Sequence, residues 1–297
     1  MNAKISDRSL ESCIFCGKPE KLTGEHVFAD WIGGVWNGGN LTRTDRSLAL
    51  RGGKPVTTSI TQRHEDEKLN VLCHGCNSVW GSRKQSTAKR HIAPLILGQW
   101  PRMNEDAKRI IAWWATSFAM VREFMHPELV VTSQLAREDF RRTYSPPPGW
   151  RIWMRPYEGY RHLESRHLAL EVLGGAGVPN VLLQQFVAGK IVFVVFGPIS
   201  SDLSSYTSTP SHCLANALIY HRFVEIYPTH KFFQKVPPRP IGDDEYENLL
   251  DIFVDAMTNP LEWIRRRRPP NETINYRPKR YGPANIRNAP HWFFIKK

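Results

Sequence analysis

Two Cys-x-x-Cys pairs are the residues of this 297-residue chain whose type and spacing best fit metal chemistry. Cys13 and Cys16 form the first pair, and Cys73 and Cys76 form the second, with 56 residues between them. Each pair can form a tight turn that presents two sulfurs, and four thiolates complete a closed tetrahedral zinc site of the structural kind. The alternative is that the cysteines are buried separately. In a reducing compartment we expect one shared zinc, with the fifth cysteine, Cys213, outside the site.

A carboxylate beside an imidazole lies between the two pairs, and an amide directly follows the second pair. The first of these is Glu25-His26, and the second is Asn77. An imidazole, with an ordinary pKa of about 6.5, can accept a proton near neutral pH, while carboxylate and amide oxygens suit hard divalent cations. Taken alone, Glu25-His26 is more typical of a surface pair, and Asn77 is equally typical of a helix N-cap. Their position between and after two cysteine pairs favours a joint chemical role.

The order of these residues resembles the HNH endonucleases of the ββα-metal group. It is similar to a bacterial subgroup whose motifs here correspond to Cys13–Cys16, Glu25–Val27, Trp31 and Cys73–Asn77. The resemblance covers residues 13–98. It implies that His26 is the general base, that Asn77 and Glu25 bind a catalytic Mg²⁺ or Mn²⁺, and that a separate structural zinc binds the four cysteines.

Two positions depart from the pattern usual in that family. Glu25 stands where aspartate is commoner, so its carboxylate lies one methylene farther from the backbone. The best counterpart of the family's middle asparagine is Asn70, which lies only three residues before Cys73. We therefore expect Asn77 to be the firmer ligand of the catalytic metal and Asn70 to have a structural role.

The charge of the chain favours a polyanionic partner. Lys and Arg outnumber Asp and Glu by 40 to 28, which gives a net charge of +12. One basic cluster follows the second cysteine pair, and residues 261–297 hold ten Lys or Arg against two Glu. The first cluster contains Arg83, Lys84, Lys89 and Arg90, and the second contains Arg265, Arg266, Arg267 and Arg268. Both are predicted to contact a nucleic-acid backbone, with DNA preferred. The alternatives are a solvated basic face and cations that favour a helix C-terminus.

Hydrophobic periodicity and chain breakers predict the elements that must position these residues. Helices are predicted at Val79–Leu97, from an Asn104 N-cap to Pro127, and at Asp244–Ile264. Strands are predicted at Arg151–Arg155, Leu168–Leu173, Val181–Val187, Lys190–Phe196 and Leu218–Ile226, with a hairpin turn at Ala188-Gly189. The stretch between the cysteine pairs, rich in Gly, Thr and Arg, is expected to be loop-rich and to depend on zinc for folding.

Together these patterns predict an α+β protein. Residues 13–98 would form a zinc-bound, HNH-like ββα-metal module, and residues 99–297 a mixed domain of helices and antiparallel sheet with a basic tail. The longest apolar stretch, Ile191–Phe196, is far shorter than the roughly 18 residues that a membrane span needs. No membrane partner and a cytoplasmic location are therefore expected.

The resemblance implies a divalent-metal-dependent endonuclease that hydrolyses phosphodiester bonds in DNA, in phage defence or restriction. Two alternatives stay open. One is a zinc-dependent nucleic-acid-binding protein with a degenerate, non-catalytic site, and the other is a nuclease that cleaves RNA. Cleavage of both strands of a duplex would suit a homodimer, although no segment of the sequence argues for one.

Overall fold

A computed structural model of the chain describes residues 12–36, 41–51, 54–64, 68–170, 179–198, 214–215, 217–219, 221–229 and 237–258. These residues form a mixed α+β fold. The strands are β1 (Leu22–His26), β2 (Thr42–Arg51), β3 (Lys54–Arg63), β4 (Lys68–Cys73), β5 (Arg151–Pro156), β6 (Leu163–Leu170), β7 (Val181–Ala188), β8 (Ile191–Pro198) and β9 (Val224–Tyr227). The helices are α1 (Trp31–Val35), α2 (Ser82–Ile96), α3 (Glu105–Arg122), α4 (Gln134–Thr143) and α5 (Asp243–Thr258).

The strands belong to two sheets of unequal size. β1 and β4 form an antiparallel two-stranded sheet, and the others form a seven-stranded sheet in the order β3-β2-β6-β7-β8-β5-β9. In the larger sheet all neighbours are antiparallel except β2 and β6, which run parallel. Ala188 pairs with Ile191 across the β7–β8 turn, where Gly189 has a φ of +60°. The predicted Ala188-Gly189 hairpin is therefore confirmed.

The central strands of the large sheet are buried on both faces. Alternate residues of β8 belong to two hydrophobic clusters, with Ile191, Phe193 and Val195 in the first and Val192, Val194 and Phe196 in the second. On the first face α3 packs, with the ring centres of Trp114 and Phe193 5.6 Å apart. On the second face α5 packs, where Gln185 Nε2 donates a hydrogen bond of 3.2 Å to the Tyr246 carbonyl. Strands covered on both sides are nearly continuously apolar, which explains why sequence patterns located β7 and β8.

The segment between the cysteine pairs contributes two strands to this sheet. β2 pairs antiparallel with β3 and parallel with β6. The expectation of a loop-rich segment is therefore wrong for residues 42–51 and 54–63. Hydrophobic alternation does not reveal β2 because several of its inward-facing residues are polar: Arg43, Asp45 and Ser47 are all buried.

Residues on both sides of the predicted boundary at positions 98 and 99 share one hydrophobic cluster. That cluster includes Ile14 and Phe28 near the cysteine pairs as well as Trp114 of α3 and Phe186 of β7. Phe28 lies 4.7 Å, between ring centres, from Phe118 of α3. The module that carries the cysteines thus packs directly on α3, and the division into two domains stays a prediction.

Two of the predicted helices are confirmed close to their predicted bounds. A helical segment of π type, Gly75–Gly81, leads directly into α2, which contains Pro94 and ends at Ile96. The Asn104 side chain accepts a hydrogen bond of 2.8 Å from the Ala107 amide, so this residue is the N-cap of α3. α3 itself ends at Arg122, and two short 3₁₀ turns follow it around Pro127.

Other predicted elements need correction. The strand predicted at Leu218–Ile226 is wrong in its first half, since residues 217–219 are helical and Arg222 turns the chain with a φ of +56° before β9 begins. The strand predicted from Leu168 begins earlier, at Leu163, and residues 171–173 lie outside the described residues. α5 is described to Thr258 only. None of the described helices combines the length and apolar composition that crossing a bilayer requires.

Candidate functional site

The four cysteines of the two pairs lie together. Their sulfur atoms all lie within 4.8 Å of one another, and Cys16 Sγ and Cys73 Sγ are 3.7 Å apart. Four thiolates around a zinc ion, each about 2.3 Å from it, would lie about 3.8 Å from one another. The cluster therefore has the donor type and the spacing to hold a metal ion such as zinc. Among the described residues, no other group of three or more His, Cys, Asp or Glu fits one ion in this way.

Local backbone geometry forms the first half of this cluster. The Gly17 amide donates to the Cys13 carbonyl at 2.8 Å, and the Cys13 amide donates to the Lys18 carbonyl at 3.0 Å. The turn requires a left-handed residue, which Gly17 supplies with a φ of +67°. The Ile14 amide then bonds to the Val71 carbonyl at 3.0 Å, which joins the turn to β4 and its cysteine.

The electrostatics of the cluster favour a thiolate at Cys13 and disfavour one at Cys73 and Cys76. A hydrogen bond from Cys76 lowers the pKa of the Cys13 thiol to about 4, and the same hydrogen bond raises the pKa of Cys76. Burial raises the pKa of Cys73 to about 11. Arg141 of α4 has its Nε 3.2 Å from Cys76 Sγ, where the guanidinium can stabilise a negatively charged sulfur.

Asn77 connects the helix after the second pair to β1. Its Nδ2 donates to Thr23 Oγ1 at 3.0 Å and to the Gly24 carbonyl at 3.1 Å, and Thr23 Oγ1 in turn donates to the Leu72 carbonyl of β4. β1, β4 and the helical segment with α2 therefore form a linked ββα unit. Asn77 lies inside the helical segment, so the alternative that it caps a helix is wrong. Among the described residues, neither of its side-chain hydrogen bonds uses Oδ1.

Glu25 directly follows Gly24 on β1, and the Gly24 carbonyl accepts a hydrogen bond from Asn77 Nδ2. The β1–β4 ladder is irregular between Thr23 and Gly24, and side chains alternate along β1 after that point. Burial raises the pKa of the Glu25 carboxyl to about 7. The structure thus joins Asn77 to the strand that contains Glu25.

His26 is the last residue of β1 and, by the same alternation, leaves the strand on the other face. Its Nε2 lies 3.7 Å from Asp30 Oδ1, while its Nδ1 is buried without a hydrogen-bond partner among the described residues. Burial lowers the pKa of the His26 imidazole, Asp30 opposes that shift, and the positive charge of Lys68 adds to it. His26 therefore has a neutral ring at the end of a strand, one residue beyond Glu25.

His64 is a neighbour of His26 that the sequence did not assign to the site. It follows β3, is only 3% exposed, and its ring centre lies 5.8 Å from that of His26. Neither ring nitrogen has a hydrogen-bond partner of normal geometry among the described residues, and burial lowers the pKa of the ring. In the sequence His64 stands out only as part of the polar run Gln62–Asp66. Its position near His26 follows from the pairing of β2 with β3, which the sequence did not predict.

Asn70, predicted to have a structural role, lies on β4 directly opposite Gly24 and is exposed. The hydrogen bonds that brace β1 come instead from Asn77, which the resemblance assigns to the metal. Asn77 therefore has a bracing function, which the sequence offered only under the alternative of a non-catalytic site.

The predicted phosphate-contacting residues fall into two groups. On α2, Arg83, Lys89 and Arg90 are exposed, and Lys84 is half-buried with its Nζ 3.8 Å from the ring centre of Tyr144. The run Arg265, Arg266, Arg267 and Arg268 lies outside the described residues. The helix of the ββα unit thus presents an accessible basic face.

Comparison of the chain with known proteins gives no match to a family model, to a curated protein or to a solved structure.

Proposed function

We propose that this protein is a divalent-metal-dependent endonuclease of the HNH type that hydrolyses phosphodiester bonds in DNA. The observation that carries the proposal is the pair of hydrogen bonds from Asn77 to β1, because they join the predicted amide ligand to the strand that contains Glu25 and His26. Two antiparallel strands followed by a helix, with four clustered cysteine sulfurs at one end, are the arrangement that the resemblance implies.

Zinc is proposed as the ion of the four cysteines. Four sulfur donors leave no open position, so such an ion stabilises structure and takes no part in hydrolysis. Its contribution would be to fix the turn at Cys13–Cys16 against the junction of β4 and the following helix. That junction is where Asn77 begins its contacts with β1.

Glu25 and Asn77 are proposed to hold the catalytic Mg²⁺ or Mn²⁺. Magnesium is usually bound by one or two protein oxygens, with water and substrate phosphate completing an octahedral set, so a site of two oxygen donors fits it. Such an ion would stabilise negative charge on the phosphate and on the leaving oxygen. Asn77 suits the role because hydrogen bonds to β1 hold its Nδ2, while its Oδ1 can bind a cation.

His26 is proposed to accept the proton of the attacking water. A neutral imidazole can serve as general base at neutral pH, and this ring lies at the end of β1 immediately after Glu25. Arg83, Lys84 and Arg90 on α2, and Arg265–Arg268 in the tail, are proposed to bind the nucleic-acid backbone. Phage defence or restriction is the proposed setting.

A second candidate function rests on the same hydrogen bonds. Since Asn77 already braces β1, its amide has a sufficient structural reason to be there. That observation favours a zinc-dependent nucleic-acid-binding protein whose Glu25, His26 and Asn77 only stabilise the fold. An RNA nuclease is a third candidate, because the chemistry acts on phosphate and does not select the sugar.

The test is cleavage by the full chain of supercoiled plasmid, linear duplex, single-stranded DNA and RNA, with Mg²⁺, Mn²⁺ or EDTA. We expect metal-dependent cleavage of DNA that His26→Ala reduces by about 10²-fold or more, the usual size of a general-base effect. His126→Ala, in the turn after α3, is the matched control and should cleave at the wild-type rate. Tight binding without cleavage under any metal would support the binding protein, and preferential cleavage of RNA would support the third candidate.

A further inference from the structure

A lysine that the sequence did not single out lies across the small sheet from His26. The register of β1 and β4 pairs His26 with Lys68 and pairs Gly24 with Asn70. Paired residues of an antiparallel ladder project from the same face. Lys68 therefore leaves β4 on the face of the sheet that carries His26.

The path of this lysine across the sheet is fixed by a glycine. A Cβ atom built on Gly24 would lie 2.9 Å from Lys68 Cβ and 3.2 Å from Lys68 Cδ. The aliphatic part of Lys68 thus lies over the bare α-carbon of Gly24, where a larger residue would displace it. Asn77 Nδ2 bonds to the carbonyl of the same Gly24. Lys68 and Asn77 consequently converge on one residue, two positions before His26.

Within the part of the chain that the structure describes, no acid forms an ion pair with the ammonium group of Lys68. Lys68 is exposed, and the ion pairs of the described residues do not include it. Its charge acts on the His26 imidazole and lowers the pKa of that ring. A cation whose stem packs over Gly24, and whose residue pairs with His26 in the ladder, is positioned to bind an anion on this face of the sheet.

We propose that Lys68 binds the nonbridging oxygens of a nucleic-acid phosphate at His26, and so holds the strand against the candidate base. The inference rests on the proposed function and adds a substrate-binding residue to it. Arg83, Lys84 and Arg90 lie on α2 and not on the strand that pairs with β1. Lys68 is the described lysine that the strand register pairs with His26 itself.

The matched control is Lys21, which is exposed and directly precedes β1. It lies at the opposite end of the same sheet, near the Leu22–Cys73 pair and about 17 Å from His26 along an extended strand. Lys21→Gln and Lys68→Gln each remove one positive charge from the region of the same two-stranded sheet. Lys68→Arg keeps the charge and serves as the conservative variant.

The experiment measures binding of a short fluorescent duplex to full-length protein by anisotropy, in EDTA and in a His26→Ala background, between about 50 and 200 mM salt. Each phosphate contact contributes about 0.9 to the slope of log K against log salt on duplex DNA and about 0.7 on single strands. We expect Lys68→Gln to reduce the magnitude of that slope by the contribution of about one phosphate contact. Lys68→Arg and Lys21→Gln should keep the slope of the parent.

The outcomes separate this inference from the proposed function. Equal slopes for Lys68→Gln and its parent, or an equal loss with Lys21→Gln, would overturn the role of Lys68 while leaving cleavage by the otherwise wild-type chain untouched. Loss of all nucleic-acid binding in the parent itself would also overturn the role of Lys68, whereas the proposed function fails only if the otherwise wild-type chain does not cleave with any metal. With His26 present and metal added, Lys68→Gln should also lower kcat/KM on DNA, and Lys68→Arg should restore it.

Discussion

The two sheets of this protein are stabilised in different ways. Every residue of β7 and β8 in the seven-stranded sheet is buried, whereas all five residues of β1 in the small sheet are only partly buried. A lone two-stranded ribbon is marginally stable in water. The small sheet must therefore depend on its surroundings, which are the cysteine cluster, the Asn77 hydrogen bonds and the contacts of α4.

The residues of the proposed site lie on or directly beside the smaller sheet. Glu25, His26, Lys68 and Asn77 all belong to the ββα unit, and none belongs to the apolar interior of the large sheet. α3 packs against both regions, through Phe118 with Phe28 on one side and Phe186 on the other. The large sheet supplies most of the apolar core, and the proposed site depends on the cysteine cluster and polar contacts for its shape.

Loss of the cysteine cluster should have the largest effect and should separate the two sheets. We expect Cys73→Ser to lose its zinc, to lose amide protection in β1 and β4, and to keep protection in β7 and β8. Zinc ligation contributes about 10–16 kcal/mol to the folding of isolated zinc-finger peptides, far more than a two-stranded sheet supplies. Metal analysis with hydrogen–deuterium exchange mass spectrometry measures both quantities.

Cys213→Ser is the matched control for that experiment, because Cys213 belongs to neither cysteine pair. It should retain zinc and the wild-type exchange pattern. A Cys73→Ser protein that is metal-free yet keeps full protection in β1 and β4 would contradict the dependence of the small sheet on the cluster. It would also remove the reason to expect His26 and Asn77 at one site.

A buried carboxylate should have the next largest effect, since it ties β2 to both α3 and β6. Asp45 pairs with Arg43 Nε and accepts from Ser165, and Arg122 Nε lies 3.2 Å from its Oδ1. Arg43 and Arg122 are fully buried, so Asp45→Asn would leave their charges without this anion. We expect a loss of about 3–5 kcal/mol in the free energy of unfolding, measured by chemical denaturation.

The exposed carboxylate of Asp106 offers the contrasting case. It lies 3.5 Å from Arg109 on the surface of α3, and an ion pair of this kind contributes about 0–1 kcal/mol. Asp106→Asn should therefore leave stability nearly unchanged. Similar losses from the two substitutions would mean that the buried network does not join β2 to the sheet as the contacts suggest.

The same network explains which parts of the fold the sequence could predict. The cysteine spacing predicted the cluster, and the Asn104 cap and the apolar runs of β7 and β8 were readable because each is a local signal. β2 was missed because the partners of its buried Asp45 carboxylate, Arg122 and Ser165, lie far away in the sequence. No local sequence pattern reveals such pairs. His64 was left out for the same reason, since the β2–β3 pairing alone brings it to His26.

Asn77 should have an intermediate effect, and two substitutions separate its two roles. Asn77→Ala removes both hydrogen bonds to β1 and should lower stability by about 1–3 kcal/mol, as well as abolishing the proposed metal ligand. Asn77→Asp keeps a side-chain oxygen that can bind a metal ion, but it loses the amide N–H groups that donate hydrogen bonds to β1. We expect both variants to melt at lower temperature, and only Asn77→Asp to regain cleavage as Mg²⁺ is raised. Equal activity of the two would favour the purely structural role.

The last expected effect lies in the large sheet and is seen only as a dependence of stability on pH. His167 of β6 is fully buried, with Nδ1 3.1 Å from Gln184 Oε1, and burial lowers its pKa to about 3. Between about pH 6.5 and pH 3 the unfolded chain therefore binds a proton that the folded chain does not. Its contribution reduces stability as pH falls through that window, by up to about 1.4 kcal/mol per pH unit. His167→Gln should remove this slope, measured as the difference between variant and wild type from pH 7 to pH 5. All other titrating groups are common to the two proteins, so unchanged slopes would mean that His167 is protonated in the folded sheet.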